Sequence, residues 1–512
     1  MSEQIVNEVD NKRIAKNTVS LYFRMMLIMG VTLFTQRVVL DKLGATDYGI
    51  YYAVAGVVSM LGFLNGTLST GTSRFLTFEL GRCNFDKLKE TFSTAFYSHL
   101  ILALIVVVLL ETIGMWFIYN KMLIPNERFS AAIWVFHFSI FTTFISITQV
   151  PYTSVIIARE KMNIYAVIGI FEAIAKLGIV YLLSLSSWDK LIFYAILFAA
   201  VQLVVACWYR IYCIHNYRES HLNLSLNKSI LKEMLGFSGW GFLSNVSQIL
   251  STQGLTVLIN MFFQPVVVAA QSIGNQISGA IMQFVNNFRI AINPQIIKLY
   301  STGQYVESRK LTLDASIYTF ELVLLMGLPI IVLMEPLLNL WLVDVPEYTV
   351  IFSQYIVATQ IFNIYNGTLY MPMIASGRLK ENSYISFFIA LLSFCILYLM
   401  FSLGWNILWV QYVSMGQIII ASFIVKPCIL CKYIPDYNWT FIVENIWQCL
   451  KVAFIPVSIS IIIYLFWPTE RLSEMIIVAL LIIFSVCISS LIFMDRETRY
   501  KLFLFIKKKI QK

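Results

Sequence analysis

Charged residues are scarce in this chain. Asp, Glu, Lys and Arg make up only 13% of its 512 residues, whereas 59% are hydrophobic. Soluble globular proteins carry about a quarter charged residues, so this composition excludes a soluble protein. The longest polar connection, 215–235, is too short to fold as a separate domain. We therefore expect an integral membrane protein.

Motifs for energy conversion and catalysis are also missing. No phosphate-binding loop of the form G-x-x-x-x-G-K-[ST] occurs, and the nearest string, GTLSTGTS at 66–73, lacks the lysine. This argues against an ATP-driven pump. His99 and His137 lie in apolar runs with no evident carboxylate partner, so neither is expected to act as a catalytic base. We expect no enzyme.

Cysteine chemistry and a cleavable signal are not indicated either. The eight cysteines lie in hydrophobic runs or toward the predicted cytoplasmic side, so no disulfide framework is expected. Cys428 and Cys431 have no second pair or nearby histidine, and we expect no metal site. The first hydrophobic run is long and lacks a small-residue cleavage pattern after it, so it should remain as a membrane helix.

Hydrophobic runs, by contrast, are abundant. About 14 of them approach 20 residues, the length at which an α-helix crosses a hydrocarbon core of about 30 Å. The sequence predicts an all-α polytopic membrane protein with two six-helix bundles around a central cavity, plus two C-terminal helices. The predicted parts are the N-terminal bundle 1–214, a cytoplasmic linker 215–235, the C-terminal bundle 236–432, and two additional helices with a basic cytoplasmic tail at 433–512.

The basic residues fix the predicted orientation. The net charge is +9, and most of the 37 Lys and Arg fall beside the even-numbered connections and the two termini. Short loops rich in Lys and Arg stay in the cytoplasm, so both termini are predicted to be cytoplasmic. The basic residues are thinly spread between apolar runs, which indicates membrane topology and no nucleic-acid partner.

Polar side chains at helical spacing mark three of the runs. The first run, SLYFRMMLIMGVTLFTQ at 20–36, contains Arg24, and the seventh and eighth carry several amides. Each such residue alone is explained by hydrogen bonds between helices. Three stripes together favour a water-filled cavity between the bundles, because polar groups have no partner in lipid. The predicted substrate-binding residues are Arg24, Lys176, Arg289, Asn245, Gln248, Gln271 and Asn275.

Charges deep in the runs leave alternatives open. Glu172 and Lys176 are four residues apart and form either a self-neutralising pair or part of the cavity. Glu321 is either a proton-binding carboxylate or the partner of a basic residue on another helix. Arg24 either faces the cavity or extends toward the cytoplasmic interface. Glu321 and Glu172 are the predicted ion-coupling residues; no cofactor is expected, and H⁺ or Na⁺ remains open as a counter-ion.

Three segments carry a family resemblance. RVVLDKLGATDYGIYYAVAGVV (37–58), INPQIIKLYSTGQ (292–304) and EPLLNLWLVDVPEYT (335–349) resemble Wzx-type polysaccharide flippases of the multidrug/oligosaccharidyl-lipid/polysaccharide (MOP) exporter superfamily. The resemblance implies a transporter in the bacterial inner membrane that uses a cationic cavity and alternating access. The implied substrate is undecaprenyl-pyrophosphate-linked oligosaccharide, an O-antigen or capsule repeat unit, with a polysaccharide polymerase and other assembly proteins as implied partners.

Two other functions stay open at this stage. An organic-cation exporter similar to the multidrug (MATE) branch of that superfamily would use acidic cavity residues, which Glu172 and Glu321 could supply. A membrane-embedded polysaccharide polymerase or ligase would need substrate-positioning groups on the outer side, where the connections are short. Arg24, Lys176 and Arg289 favour an anionic, phosphate-bearing cargo, because guanidinium and ammonium groups bind phosphate oxygens.

Overall fold

The computed structural model describes most of the chain. It covers residues 2–62, 72–73, 75–80, 84–159, 161–223, 227–228, 230–231, 243–376, 378–467, 471–494 and 499. Only the backbone is described for residues 2–24, 162, 287, 290–291, 294, 364–366 and 379.

Helices make up nearly all of this described part, and no strand occurs in it. In chain order the helices are α1 Ser2–Ser59, α2 Phe85–Leu109, α3 Met115–Lys121, α4 Phe129–Ala158, α5 Met162–Leu185, α6 Lys190–Asn216, α7 Leu255–Phe262, α8 Pro265–Ser301, α9 Tyr305–Val332, α10 Met334–Trp341, α11 Thr349–Thr368, α12 Tyr370–Ala375, α13 Leu379–Ser402, α14 Trp409–Ile420, α15 Lys426–Tyr433, α16 Trp439–Phe466 and α17 Leu472–Phe493.

Several of these helices join into longer membrane spans. Turns of π-helix connect α2 to α3 at Leu110–Gly114, lead into α7 at Leu250–Gly254, and connect α14 to α15 at Ala421–Val425. Within the described residues, nine helical stretches are long and apolar enough to cross a membrane. The prediction of an all-α polytopic membrane protein is confirmed.

A glycine divides α1 into two segments. Gly44 has φ +75°, which interrupts the helical backbone between the first two predicted spans. Residues with a Cβ rarely adopt this left-handed region, whereas glycine enters it without steric cost. The chain can therefore change direction at Gly44 without a longer loop.

The chain forms two compact units, Met1–Ala269 and Ala270–Lys512. In the first unit, α4 packs against α2 and α6, and α1 packs against α4, α5 and α7. An apolar cluster fills the space between α2, α4 and α6, with Phe92, Tyr152, Ile156 and Val205 almost fully buried. Aromatic and β-branched side chains meet here because these helices turn a common apolar face toward one another.

In the second unit, α9 is the central helix and packs against α11, α16 and α17. Two polar contacts fix its register against α16. The Ser316 hydroxyl donates to Oδ1 of Asn445 at 2.8 Å, and Nδ2 of Asn445 donates to the carbonyl oxygen of Leu313 at 3.0 Å. Polar groups buried between membrane helices pair in this way because lipid offers no alternative partner.

The first part of the predicted linker packs on the first unit. Glu219 is buried and accepts two hydrogen bonds from Arg159, at 2.9 and 2.6 Å. The Asn223 backbone N–H donates to the Ser93 hydroxyl at 3.0 Å. Residues 224–226, 229 and 232–235 of the linker, and most of the basic tail, lie outside the described residues. The division into bundles of six and six plus two stays a prediction.

Candidate functional site

One of the three segments with the family resemblance, 37–58, contributes Asp47 to a three-residue ion cluster in the first unit. Arg128, just before α4, donates to both carboxylate oxygens of Asp47, from Nε at 2.7 Å and from Nη2 at 2.5 Å. It also donates from Nη1 to Asp189 at 2.5 Å. We call Asp47, Arg128 and Asp189 the Arg128 clasp. It joins α1, α4 and α6 where all three reach the predicted outer side.

The two carboxyls of the clasp differ in their surroundings. Burial raises the pKa of Asp47, and the hydrogen bond from Arg128 only partly opposes this. Burial also acts to raise the pKa of Asp189, but the hydrogen bonds from Arg128 and from the backbone N–H of Ile192 outweigh it, so the pKa of Asp189 is lowered. Asp189 caps the N-terminus of α6, where N–H groups stabilise a negative charge.

Other residues of the segment 37–58, which we call the signature segment, also have structural roles. A Cβ built on Gly49 would lie 1.8 Å from the carbonyl oxygen of Pro265, so only glycine permits this close approach. The hydroxyls of Tyr48 and Tyr52 both donate to Oε1 of Gln36, at 3.0 and 2.9 Å. The residues of the signature segment therefore make packing contacts at the outer end of the first unit, and Asp47 belongs to the Arg128 clasp.

Glu172 and Lys176 form the ion pair that their spacing predicts. Nζ of Lys176 lies 2.7 Å from Oε1 of Glu172, and Nε2 of Gln202 donates to the same oxygen at 3.1 Å. The ammonium also lies 5.2 Å from the ring centre of Phe198. About 30% of each charged side chain remains exposed, 29% for Glu172 and 33% for Lys176. A partly open ion pair can exchange partners with a charged ligand.

The predicted amides occupy different environments. Gln248 and Asn275 are exposed and Asn245 is partly buried, whereas Gln271 is almost fully buried. Oε1 of Gln271 accepts from Nε2 of Gln411 at 2.7 Å, and Gln411 is equally buried. This contact joins α8 to α14 inside the second unit. Binding of substrate by any of the four amides stays a prediction.

Arg289 lies against the backbone of α11. A Cβ built on Gly367 would lie 2.2 Å from Nη1 of Arg289 and 2.4 Å from Cζ, so the guanidinium occupies the space that a side chain would take. Gly367 therefore provides the room for this charge. Arg24 lies on α1, in the part where only the backbone is described. The phosphate-binding roles of both arginines stay predictions.

A buried lysine was missed by sequence reasoning. Lys426 is 3% exposed; its ammonium contacts Oδ1 of Asn382 and lies 4.8 Å from the ring centre of Tyr370. No ion pair reaches Lys426 from the described residues. It follows the π turn Ala421–Val425 directly. Its only sequence signal is a Lys-Pro step inside an apolar run.

Glu321 has a hydroxyl partner. Its side chain is hydrogen-bonded to Ser490 of α17, one of the two predicted additional helices. Among the described residues, the partner found for Glu321 is this hydroxyl, and a basic partner on another helix stays an open alternative. Its role in ion coupling stays a prediction, as does that of Glu172.

The sequence shows no carboxylate partner for His137, and this prediction was wrong. Nδ1 of His137 lies 3.0 Å from Oε1 of Glu111. Glu111 is in the π turn between α2 and α3, and His137 is in α4, so 26 residues of sequence concealed the pair. Nδ1 of His99 pairs with the carbonyl oxygen of Ala95 at 2.7 Å, and His99 is fully buried.

Comparisons with known proteins identify the fold. No family model matches the sequence. No curated protein matches it either. Among solved structures, the lipid II flippase MurJ in an inward closed conformation is similar, with TM-score 0.69 and 13% identity over 93% of this chain and 98% of that one.

Two multidrug transporter structures are similar over less of the chain. An inward-facing multidrug resistance MATE family transporter of the MOP superfamily has TM-score 0.57 and 14% identity, over 84% of this chain and 94% of that one. MATE in the straight conformation has TM-score 0.58 and 13% identity, over 84% and 95%. The chain therefore has the fold of these membrane transporters.

Proposed function

We propose that this protein is a flippase that moves undecaprenyl-pyrophosphate-linked oligosaccharide, an O-antigen or capsule repeat unit, from the inner to the outer leaflet by alternating access. The proposal places it in the bacterial inner membrane with both termini in the cytoplasm. It includes a polysaccharide polymerase and other assembly proteins as partners, and H⁺ or Na⁺ as an open choice of counter-ion.

The observation that carries the proposal is the coverage of the lipid II flippase fold. That likeness extends over 93% of this chain, compared with 84% for the multidrug transporters. The additional coverage favours a lipid-linked cargo over a small drug. A Wzx-type assignment agrees with the signature segment at 37–58, in which Gly44, Gly49 and Asp47 have structural roles.

The charges favour an anionic cargo. Lys176 is partly exposed on the first unit, and Lys426 is buried on the second, where its contacts are the Asn382 amide and the Tyr370 ring. A pyrophosphate needs such cationic groups along its route. Outward movement of one negative charge gains about 2.3 kcal/mol per 100 mV of inside-negative potential, so voltage can contribute to the driving force.

An organic-cation exporter is the second candidate, because the multidrug structures share the fold. It requires acidic groups available to a cation. Glu172 is already bonded to Lys176 and Gln202, and Glu321 to Ser490, which makes both carboxylates less available. A polymerase or ligase is the least favoured of the three functions, since the similar solved structures are transporters.

The test is a deletion of the gene in the native host, complemented by wild type or variants. We expect lipid-linked repeat units to accumulate on the inner leaflet, and wild type to restore their transfer. Arg24→Gln and Arg289→Gln should restore less transfer at equal protein levels, whereas Lys121→Gln, at a helix end, should restore it fully. Drug hypersensitivity without accumulation would instead support the cation exporter.

A further inference from the structure

Glu111 and His137 form a polar pair on the surface of the first unit. Both side chains remain open, with 38% of Glu111 and 40% of His137 exposed. Glu111 lies ten residues before the end of α3 at Lys121, which is about 15 Å at 1.5 Å per residue. His137 lies nine residues after Arg128, about 14 Å. Both therefore lie about half the thickness of a 30 Å hydrocarbon core away from the outer ends of their helices.

The pair interrupts an apolar face that is suited to lipid. On α2, Leu104 and Val108 are 52% and 61% exposed, and Glu111 continues their face by helical spacing. On α4, Trp134 and Phe141 are 51% and 43% exposed, on the same face as His137. We call Leu104, Val108, Glu111, Trp134, His137 and Phe141 the Glu111 patch.

The local backbone holds this pair in place. Glu111 belongs to the π turn Leu110–Gly114, and a Cβ on Gly114 would lie 2.9 Å from Cζ of Phe136. That close approach fixes the π turn against α4, one residue before His137. Single turns of π-helix inside an α-helix are frequent at functional sites. The geometry therefore presents the two polar groups outward.

Contact with lipid is energetically unfavourable for these two polar side chains. An ionised side chain at the centre of a membrane helix costs about 2.5–3.5 kcal/mol on the mildest scale, and such residues normally face protein. The contact between Nδ1 and Oε1 uses one polar atom of each residue. Within the described part of the chain, Oε2 of Glu111 and Nε2 of His137 have no hydrogen bond. Two polar atoms are thus left for a partner.

We propose that the Glu111 patch is the interface of a homodimer, in which a second copy of this chain covers the pair. An acid and a base side by side are self-complementary under a twofold axis, because each residue meets its opposite in the other copy. In the ion-pair form, both ring nitrogens of His137 donate, one to its own Glu111 and one to the partner's Glu111. Two carboxylates and two imidazolium groups then form a neutral network. The proposed dimer does not depend on the proposed transport function.

The test uses energy transfer between donor-labelled and acceptor-labelled protein in liposomes, over a range of protein-to-lipid ratios. We expect wild type to self-associate, and Glu111→Leu/His137→Leu to require at least tenfold more protein for the same energy transfer. The apolar replacements suit a lipid-facing position, so the variant should fold; its melting temperature checks this. Phe454→Leu, at a 72% exposed position on α16, is the matched control and should associate as wild type does.

Mixing the single variants gives a sharper result. Glu111→Leu keeps the imidazole and His137→Leu keeps the carboxylate, so only a mixed dimer contains one acid–base pair across the interface. We expect more energy transfer in the mixture than in either variant alone. Glu111→Gln with His137→Gln is a second set that keeps polar side chains. Monomeric wild type, unchanged association of the double variant, or no gain on mixing would each overturn the proposal.

Discussion

Arg128 and Asp47 face each other through two parallel hydrogen bonds, of 2.7 and 2.5 Å, across 81 residues of sequence. This paired arrangement fixes both the distance and the plane of the two groups. Because Arg128 also holds Asp189, one side chain ties α1 to the starts of α4 and α6. One guanidinium thus links three helices at the outer end of the first unit.

Removing that guanidinium should destabilise the first unit. Arg128→Leu leaves Asp47, 16% exposed, without its partner, and hydrogen bonds to charged groups contribute about 1.5–3 kcal/mol. We expect a loss of this size in the free energy of unfolding in detergent, measured by chemical denaturation. The control is Lys42→Leu, which breaks only the exposed contact with Asp41. Equal stability of Arg128→Leu and Lys42→Leu would show that the clasp contributes nothing.

The clasp should also make stability depend on pH. The pKa of Asp189 is lowered in the folded protein, so its stabilising contribution is complete above its unfolded pKa of about 3.9 and is lost as the pH falls through the lower folded value. Asp189→Asn should therefore melt below wild type at pH 6, with the difference shrinking toward pH 3. Thermal melts from pH 3 to pH 7 measure it. A difference in melting temperature that grows as the pH falls would contradict this prediction.

Variants of Gln271 and Gln411 can show whether Gln271 contributes to stability, to substrate binding or to both. Either single leucine substitution leaves one buried amide unpaired, which costs about 1–3 kcal/mol, while Gln271→Leu/Gln411→Leu removes both and should regain most of that loss. Urea denaturation of the two single variants and the double variant gives the coupling energy. If Gln271 also binds substrate, the double variant should fold normally yet transfer less lipid-linked sugar; full transfer would remove Gln271 from the site.

Gly367 tests Arg289 without changing its charge. Gly367→Ala places a methyl group where the guanidinium now lies, so Arg289 must move. We expect Gly367→Ala to lower complementation of the deletion to the level of Arg289→Gln. Gly279→Ala is the control, because a Cβ there meets nothing within 4 Å. Wild-type transfer by Gly367→Ala at normal expression would show that the position of Arg289 is unimportant for transport.

Local patterns anticipated some of the site. The spacing of Glu172 and Lys176 predicted their contact because residues four apart on a helix are always neighbours. The contacts of Lys426 and Glu111 were missed because their partners lie on other helices. Asn382 is 44 residues from Lys426, and His137 is 26 residues from Glu111. Single-sequence periodicity contains no information on which faces of distant helices meet.

The sequence by itself determined the class of protein, because runs of apolar residues long enough to cross a bilayer have helices as their only stable form. It also placed a glycine at position 44, where the chain needs a positive φ. Tertiary structure alone decided which polar groups pair: Arg128 with two aspartates, Gln271 with Gln411, and Glu111 with His137. Those pairings follow from how whole helices pack, and packing depends on contacts between segments far apart in the chain.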